Sequence, residues 1–505
     1  MNEEAALPGV EDMVQAEAES TAESVGERKR RYEYINREQL VFRTIDVEQL
    51  IPEDHPARAI WEFLGQVDLS AFETTIKAYE DGRGRAAYEP RLLISLWVYA
   101  YSRGEWSGRE ISRLCETDPA YQWLTGMKSV NYHSLTSFRV QHEVALRKLF
   151  TQILAVFNQA GLVSLERVMN DGTKIRTQAS KQSLRSQDTI SEHLQAARER
   201  VAAMEQAASA EENGRTAKAR QRAAREYEQR LTGALAEFDK LQAKQGKTLL
   251  VSKSEPEARK MKQADGGYAP SYNVQLSTEQ SHGIIVGVGL GQSAADYQEL
   301  APAMQRVEDN LGSKPKQVVV DGGYLSGANL IQMEARGIEL ITPVNDNREQ
   351  LKRRGIAPEF GRAAFDYDEK QNCFRCPAGE TLTYKDKQKR AGQVRYRYQA
   401  QAAVCQACPW RPQCCPQAKR GRSVTRYDYD AEMLAHLAKM ETPAAREIYK
   451  QRGQTAEFPI AWIKEKIGLR RFHVRGMLKA ELEAIWAAAT YNIQQWIRLC
   501  WRPVT

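Results

Sequence analysis

At 505 residues the chain is too long for one ordinary domain, so a central domain with additions is expected. Hydrophobic residues make up 42% and charged residues 27%, enough for a sizeable core, and no uninterrupted apolar run reaches membrane-spanning length. The net charge of +7, from 72 Lys and Arg against 65 Asp and Glu, permits nucleic-acid binding without requiring it, because local patches outweigh the sum.

The N-terminus opens on acidic residues and lacks an apolar signal core, so a cytoplasmic protein is expected. Residues 1–35 are rich in Glu, Ala and Ser and read as a disordered tail, its basic run Arg28–Arg31 taken as solvated. Residues 36–160 read as a helical domain. "RLLISLWVYAYSRG" is apolar on nearly every face and predicts a buried helix. "SGREISRLCETDPAYQWLTG" follows, with Ser107 as N-cap and Gly126 as stop. In "NYHSLTSFRVQHEVALRKLFTQIL", Ser134 or Thr136 is the expected start of another helix. Short helices with basic positions at Arg109, Arg113 and Arg139 fit a helix-turn-helix-like DNA-binding unit as well as an ordinary helical bundle.

From residue 161 the texture changes to α/β alternation, assigned to a domain over 161–500. "ERVMNDGTKIRTQAS" reads as a short strand ending at Asp171-Gly172. Strand signals recur in "YNVQLST", "GIIVGVGL", "KQVVVDGGYLSG" and "IELITPV", with helical stretches near 296–309 and 326–336. Two inserts interrupt the pattern. Residues 188–246 predict an antiparallel helical hairpin broken near Asn213-Gly214, its charges on a solvated face. Residues 345–440 hold a cysteine cluster and strand-like pieces such as "VRYRYQAQ". Helical segments over 443–467 and 477–500 close the chain.

Three acids stand out. Asp171 and Asp321 are each read at a strand end before Gly, where loops build clefts, and Glu457 lies in the late helices. Each alone is weak, since a strand-end Asp often only forms a turn. Gathered carboxylates repel one another and call for a cation, and hard oxygen ligands favour Mg²⁺ or Mn²⁺. Two such ions ~3.5–4 Å apart suit phosphodiester cleavage and rejoining. Eight cysteines are unevenly placed: Cys115 and Cys500 stand apart, while Cys373, Cys376, Cys405, Cys408, Cys414 and Cys415 crowd together. Twin Cys-x2-Cys pairs have the reach of a structural tetrahedral Zn²⁺, with more thiols than four ligand places. The lone histidines His133 and His473 are given no catalytic role.

In these motifs the chain resembles the DDE insertion-sequence transposases, in the branch marked by Tyr-x2-Arg followed by Glu-x6-Lys. Tyr449, Arg452, Glu457 and Lys464 stand in that order. "NDGTKIRTQAS" and "VDGGYLSG" resemble the blocks around the first and second acids, "SEPEARKM" resembles a further block, and "EDHPAR…YEPRLLISLWVYAYSRG…S-x-REI" resembles the N-terminal helical domain. The resemblance implies a ribonuclease-H-like catalytic core. Asp171, Asp321 and Glu457 would bind Mg²⁺ or Mn²⁺, while Tyr449, Arg452 and Lys464 would contact DNA. It favours Cys376, Cys405, Cys408 and Cys414 as zinc ligands, with Cys373 as the alternate. It further implies a bacterial, nucleoid-associated enzyme that cuts and joins DNA at element ends and target, as a homodimer in the DNA complex. The alternatives are a catalytically inactive DNA-binding descendant, or a nuclease of the same fold without strand transfer.

Two departures from the pattern matter. Four residues, not the commoner three, separate Arg452 from Glu457, and Pro459 follows closely. A proline inside a helix clashes with the carbonyl four residues back, so Glu457 is expected at a helix start or kink. Glu465, the nearest substitute, lacks the Tyr-Arg spacing.

Overall fold

Caps and prolines set the helices of the N-terminal region. Helix α1 (Pro56–Leu64) starts with Pro at its first position, and His55 Nδ1 accepts from the Ala57 N–H at 3.1 Å. Helix α2 (Pro90–Ser102) is buried along most of its length, as its apolar sequence predicts. Ser107 caps α3 (Gly108–Thr117) by accepting from the Glu110 N–H at 3.3 Å. The expected stop at Gly126 also holds, with φ of 58°. Between them the helix breaks at Asp118, because the residue before a proline is pushed out of the helical region. The Asp118 carboxylate then caps α4 (Pro119–Thr125) through the Ala120 N–H at 2.9 Å. Helix α5 (Tyr132–Gln141) begins at Asn131 rather than Ser134 or Thr136, and α6 (Glu143–Gln159) follows a break at His142.

These features come from a computed structural model that describes residues 37–40, 44–74, 76, 86–208, 215–242, 249–344, 348–390 and 393–503. The chain forms two compact units, Met1–Asp46 and Val47–Thr505, and all elements named below belong to the second. The expected tail over 1–35 and the hairpin break near Asn213-Gly214 lie outside the described residues.

Strand β1 (Arg167–Arg176) leads into the hairpin of α7 (Gln187–Ala208) and α8 (Arg215–Gln242). Its antiparallel course shows in two ion pairs, Arg198 with Glu228 at 3.5 Å and Arg225 with Glu205 at 2.7 Å. The hairpin is closed at its base by Leu184–Arg185 pairing with Val251–Ser252. Then come β2 (Arg259–Lys262), β3 (Tyr268–Glu279), β4 (Ile285–Gly291), α9 (Leu300–Leu311), β5 (Gln317–Val319), α10 (Gly327–Ala335) and β6 (Glu339–Ile341). They form a six-stranded mixed sheet in the order β2-β3-β1-β5-β6, with β4 also on β3. Strand β3 runs antiparallel to β1 and β4, whereas β5 and β6 run parallel to β1.

The cysteine-rich insert has its own antiparallel sheet: β7 (Asp366–Asp368), β8 (Cys373–Arg375), β9 (Thr381–Arg390), β10 (Gln393–Gln399) and β11 (Ser423–Tyr427). A small core of Phe365, Phe374, Leu382, Tyr398, Ala400 and Val424 holds it. Helix α11 (Asp430–Glu441) ties the insert back to the main sheet. Its Lys439 donates to the Leu340 carbonyl at 2.7 Å, and His436 bonds the Thr342 carbonyl at 2.8 Å. Helix α12 (Pro443–Lys450), a π-turn (Gly453–Glu457), α13 (Phe458–Glu465) and α14 (Met477–Leu499) complete the order.

One apolar core runs from Ile51 to Trp501, so the N-terminal helices, the main sheet and α14 are packed as one body. Trp486 of α14 is fully buried and donates to the Arg139 carbonyl at 3.2 Å. Burial of a side chain of that size contributes roughly 1.5–3 kcal/mol. Asn492 exchanges two hydrogen bonds with the Ile285 backbone, at 3.0 and 2.8 Å, fixing α14 to β4. Among the described residues no helix is long and apolar enough to cross a membrane.

Two of the basic positions in the helical region are committed within the protein. Arg139 is buried, lies over the Trp97 ring, donates to the Trp106 carbonyl at 2.9 Å and faces Glu483 at 3.8 Å. Arg113 pairs with Glu110, one helical turn away. His473 stacks on Trp106 and bonds Glu483 at 3.1 Å, a structural placement.

Candidate active site and cysteine cavity

Parallel register brings the first two acids together. Met169 of β1 lies opposite Val319 of β5, so Asp171 and Asp321, each two residues further on, emerge side by side. The expectation that Asp171 ends its strand is corrected. It lies in the middle of β1, which continues to Arg176 against β3. The cleft forms there because β5, on the other side, stops at Val319. The chain then turns: the Asp321 carboxylate caps the turn by accepting from the Gly323 N–H at 2.8 Å, and the Asp321 carbonyl accepts from Thr342 Oγ1 at 2.8 Å.

The third acid comes from the late helices. Glu457 ends the π-turn, which runs without a break into α13, so Pro459 falls at an irregularity of the helix, the kink expected there and not a free helix start. The π-turn also accounts for the extra residue. In an α-helix, positions four apart share a face; a π-turn, with i→i+5 bonds, brings positions five apart into that relation. Arg452 and Glu457 are five apart, and both face the cleft. Arg452 Nη2 lies 2.9 Å from Asp171 Oδ2, and Nη1 lies 3.7 Å from Glu457 Oε1. Arg452 is largely covered, while the Glu457 carboxylate is exposed.

Burial pushes the Asp171 carboxyl up to about 6; Arg452 and the Gly172 N–H oppose this, and the charges of Asp321 and Asp296 add to it. Burial likewise pushes the Tyr449 hydroxyl up, against the pull of Arg452, with the carboxylates of Asp321, Asp171 and Glu457 adding to the rise. Tyr449 packs on the apolar floor of Met169, Val319, Ile341 and Ala456. Burial holds the Lys464 ammonium below its usual range, the nearby charge of Arg470 adds to this, and Asp171 opposes it. All six residues expected at the site therefore share one neighbourhood. Glu465, the substitute considered for the third acid, is exposed and paired with Arg470 at 2.5 Å.

One nearby acid was missed from sequence. Asp296, just before α9, accepts from Asn273 Nδ2 at 2.7 Å and pairs with Lys174 at 3.1 Å. A signal existed: Asn273 and Gln275 alternate on one side of a strand otherwise suited to burial, and buried amides need partners.

In the insert, Cys376, Cys405, Cys408 and Cys414 line one cavity, and so does Cys415, which sequence reasoning left out of the ligand set. Cys373, the alternate, lies elsewhere: it is buried on β8, with its thiol donating to Gln371 at 3.8 Å. The Arg422 N–H donates to Cys405 Sγ at 3.3 Å. Burial pushes the Cys415 thiol up to about 12, with the neighbouring Cys405 and Cys414 adding to the rise. Among the described residues no three His, Cys, Asp or Glu side chains are already drawn to metal-holding distance, in the cleft or in this cavity.

Comparison with known proteins bears on both regions. Residues 375–497 match the family described as Transposase DDE domain, and residues 45–141 match the one described as Transposase domain (DUF772). The first match takes in Glu457 and the cysteine cavity; Asp171 and Asp321 lie outside both. Both matched families are transposase families, so these two segments are similar to parts of transposases. No curated protein matches the chain. Among solved structures, it is similar to the piggyBac transposase synaptic complex with hairpin DNA, at 9% identity over 89% of this chain and 76% of that one. The TM-score is 0.30.

Proposed function

We propose that the chain is an active transposase that cleaves DNA at the ends of an insertion sequence and joins those ends to target DNA. The observation that carries this reading is the convergence of Asp171, Asp321 and Glu457, from two adjacent parallel strands and a π-turn, around the guanidinium of Arg452. The strand order supports a ribonuclease-H-like core: β1, β3 and β4 are antiparallel neighbours and are followed by β5 and β6 parallel to β1, with β2 added on β3 and the acids beyond the paired part of β1 and β5.

The donor set fits a hard divalent cation. It offers carboxylate oxygens without imidazole, and a cation, Arg452, already lies between two of them. Asp171, Asp321 and Glu457 would hold Mg²⁺ or Mn²⁺, which supplies charge for the attacking and leaving oxygens at phosphorus. In cleavage, a water oxygen forms a bond to phosphorus and the strand's 3′-oxygen leaves as a hydroxyl. In joining, that 3′-hydroxyl attacks a target phosphodiester and a target 3′-hydroxyl is released. Arg452 can move from carboxylate to phosphate, which it grips through two N–H groups. Lys464 adds a point charge, and Tyr449 a hydroxyl or a stacking face. DNA is thus the partner, with two chains of this kind in the DNA complex.

The insert would hold one structural Zn²⁺ through four of the five cysteines at its cavity. The set Cys376, Cys405, Cys408 and Cys414, which the family resemblance favours, keeps one Cys-x2-Cys pair and lines the cavity in full, with Cys415 adjacent. All-thiolate ligation leaves no open position, so this ion would stabilise the fold.

The test is cleavage of a duplex carrying the DNA that borders the reading frame, with Mg²⁺ or Mn²⁺ added. The wild-type protein should cut at the element end, and Asp321→Ala should not. Undiminished cutting by Asp321→Ala would overturn the assignment.

A further inference from the structure

Strand β1 carries a second charged side chain near the cleft. Lys174 stands three residues beyond Asp171, with 26% of its side chain exposed. Its ammonium lies 3.1 and 3.4 Å from the two carboxylate oxygens of Asp296. We propose that Lys174 contacts a DNA phosphate at the cleft and that Asp296 is the positioning residue that holds it there. The proposal rests on the reading of the site as one that cleaves DNA.

Asp296 is held from behind by a chain of buried amides. Its Oδ1 accepts from Asn273 Nδ2 at 2.7 Å and from Gln275 Nε2 at 3.3 Å. Asn273 also donates to the Ser293 carbonyl at 3.1 Å. Gln275 Oε1 accepts from Asn170 at 2.9 Å and from the Tyr324 hydroxyl at 2.6 Å. Asn170, Asn273 and Gln275 are all essentially excluded from solvent. Buried amides are costly to leave unsatisfied, and aliphatic residues would fill the same space without that risk. The network converges on one partly exposed carboxylate, and its output is the placement of the Lys174 ammonium. Gly172 completes the arrangement. A Cβ at that position would come within 2.7 Å of Asp296 Oδ1, so only glycine next to Asp171 lets Asp296 approach β1.

A carboxylate partner does not exhaust a lysine, whose ammonium has three donors. With Asp296 taking one side, the others can meet a phosphate oxygen. Lys174 is also close enough to Lys464 for its charge to act there, after burial and Arg470, so the two ammonium groups belong to one basic rim around the acids. A polyanion entering the cleft meets Lys174 from β1 and Lys464 from α13, elements far apart in sequence.

The experiment measures binding of a duplex carrying the DNA that borders the reading frame, without divalent metal, over a range of salt concentrations. Lys174→Gln should lower the slope of log affinity against log salt by ~0.9, and Lys174→Arg should keep it. Asp296→Asn raises the net charge by one. Simple electrostatics would then tighten binding, whereas loss of positioning should weaken it and flatten the slope. An unchanged slope in Lys174→Gln, or tighter binding by Asp296→Asn, overturns the proposal while leaving the DNA-cleaving reading intact. Wild-type protein that shows no salt-dependent binding overturns both. Should Lys174→Gln fail to fold, the sign of the Asp296→Asn effect decides alone.

Discussion

The main-sheet cleft and the cysteine cavity both gather reactive side chains, but by different means. In the cleft, backbone register does the work: Met169 opposite Val319 fixes where Asp171 and Asp321 emerge, within a core that runs almost the length of the chain. The insert has six apolar residues at the centre of its core. A core of that size rarely stabilises a fold alone, and natural small scaffolds add a metal or disulfides. All its cysteines are free thiols. The cleft should therefore keep its shape without metal, whereas the insert should depend on one.

The largest expected effect attacks the cleft. Asp321→Ala should lower cleavage by more than about a hundredfold, a loss beyond that for residues that only support a metal ligand. Circular dichroism should remain close to wild type, because the Asp321 side chain makes only a turn cap. A variant that unfolds would show instead that the acid is structural.

The next prediction attacks the insert. Metal analysis should find about one zinc per chain if four thiolates close on it. Changing Cys405 and Cys408 together to Ser should release that zinc and open the insert to protease, leaving the main sheet folded. Zinc retained by the double variant, or none in wild-type protein purified without chelators, would contradict the contrast. Cys373→Ser should keep the zinc, since Cys373 lies off the cavity.

A smaller effect separates Arg452 from Lys464. Lys464→Gln should reduce the salt slope of DNA binding by ~0.9 with metal affinity little changed. Arg452→Ala removes the ion pair to Asp171, so it should change metal affinity as well as the slope. Equal behaviour of the two variants would mean that the contact with Asp171 does not govern metal entry.

The alternation of strands and helices, both inserts and the late helices were legible from sequence, since each rests on local periodicity or composition. The six candidate residues were named from motif order, and in the structure they lie in one neighbourhood. What escaped depended on tertiary placement. The middle of β1 looked like a strand end because Asp-Gly usually breaks a strand, and only the long partner β3 carries it through. Asp296 carried no motif; it is placed by Asn273 and Gln275, which donate to its carboxylate from β3. Arg139 was one of the basic positions that fitted a DNA-binding unit as well as an ordinary bundle, and it is buried beside α14, 347 residues away in sequence.

The smallest effect concerns the π-turn, and it sharpens what holds the cleft. Deleting Thr455 removes one residue between Arg452 and Glu457 and restores the commoner spacing of three. If the turn exists to absorb one extra residue, the deletion lets it relax to an α-helical turn, with Arg452 and Glu457 four apart on one face. Ala456, buried on the floor with Met169 and Val319, would keep its place. Cleavage should then stay within about tenfold of wild type, a change of ~1.4 kcal/mol in barrier. Adding an alanine after Gln454 instead would turn Glu457 about a quarter-turn further round the helix, away from Arg452 and the two aspartates. That variant should lose cleavage as Asp321→Ala does. If the deletion is as damaging as the insertion, the π geometry itself is required at Glu457, and the extra residue is part of how this cleft is built.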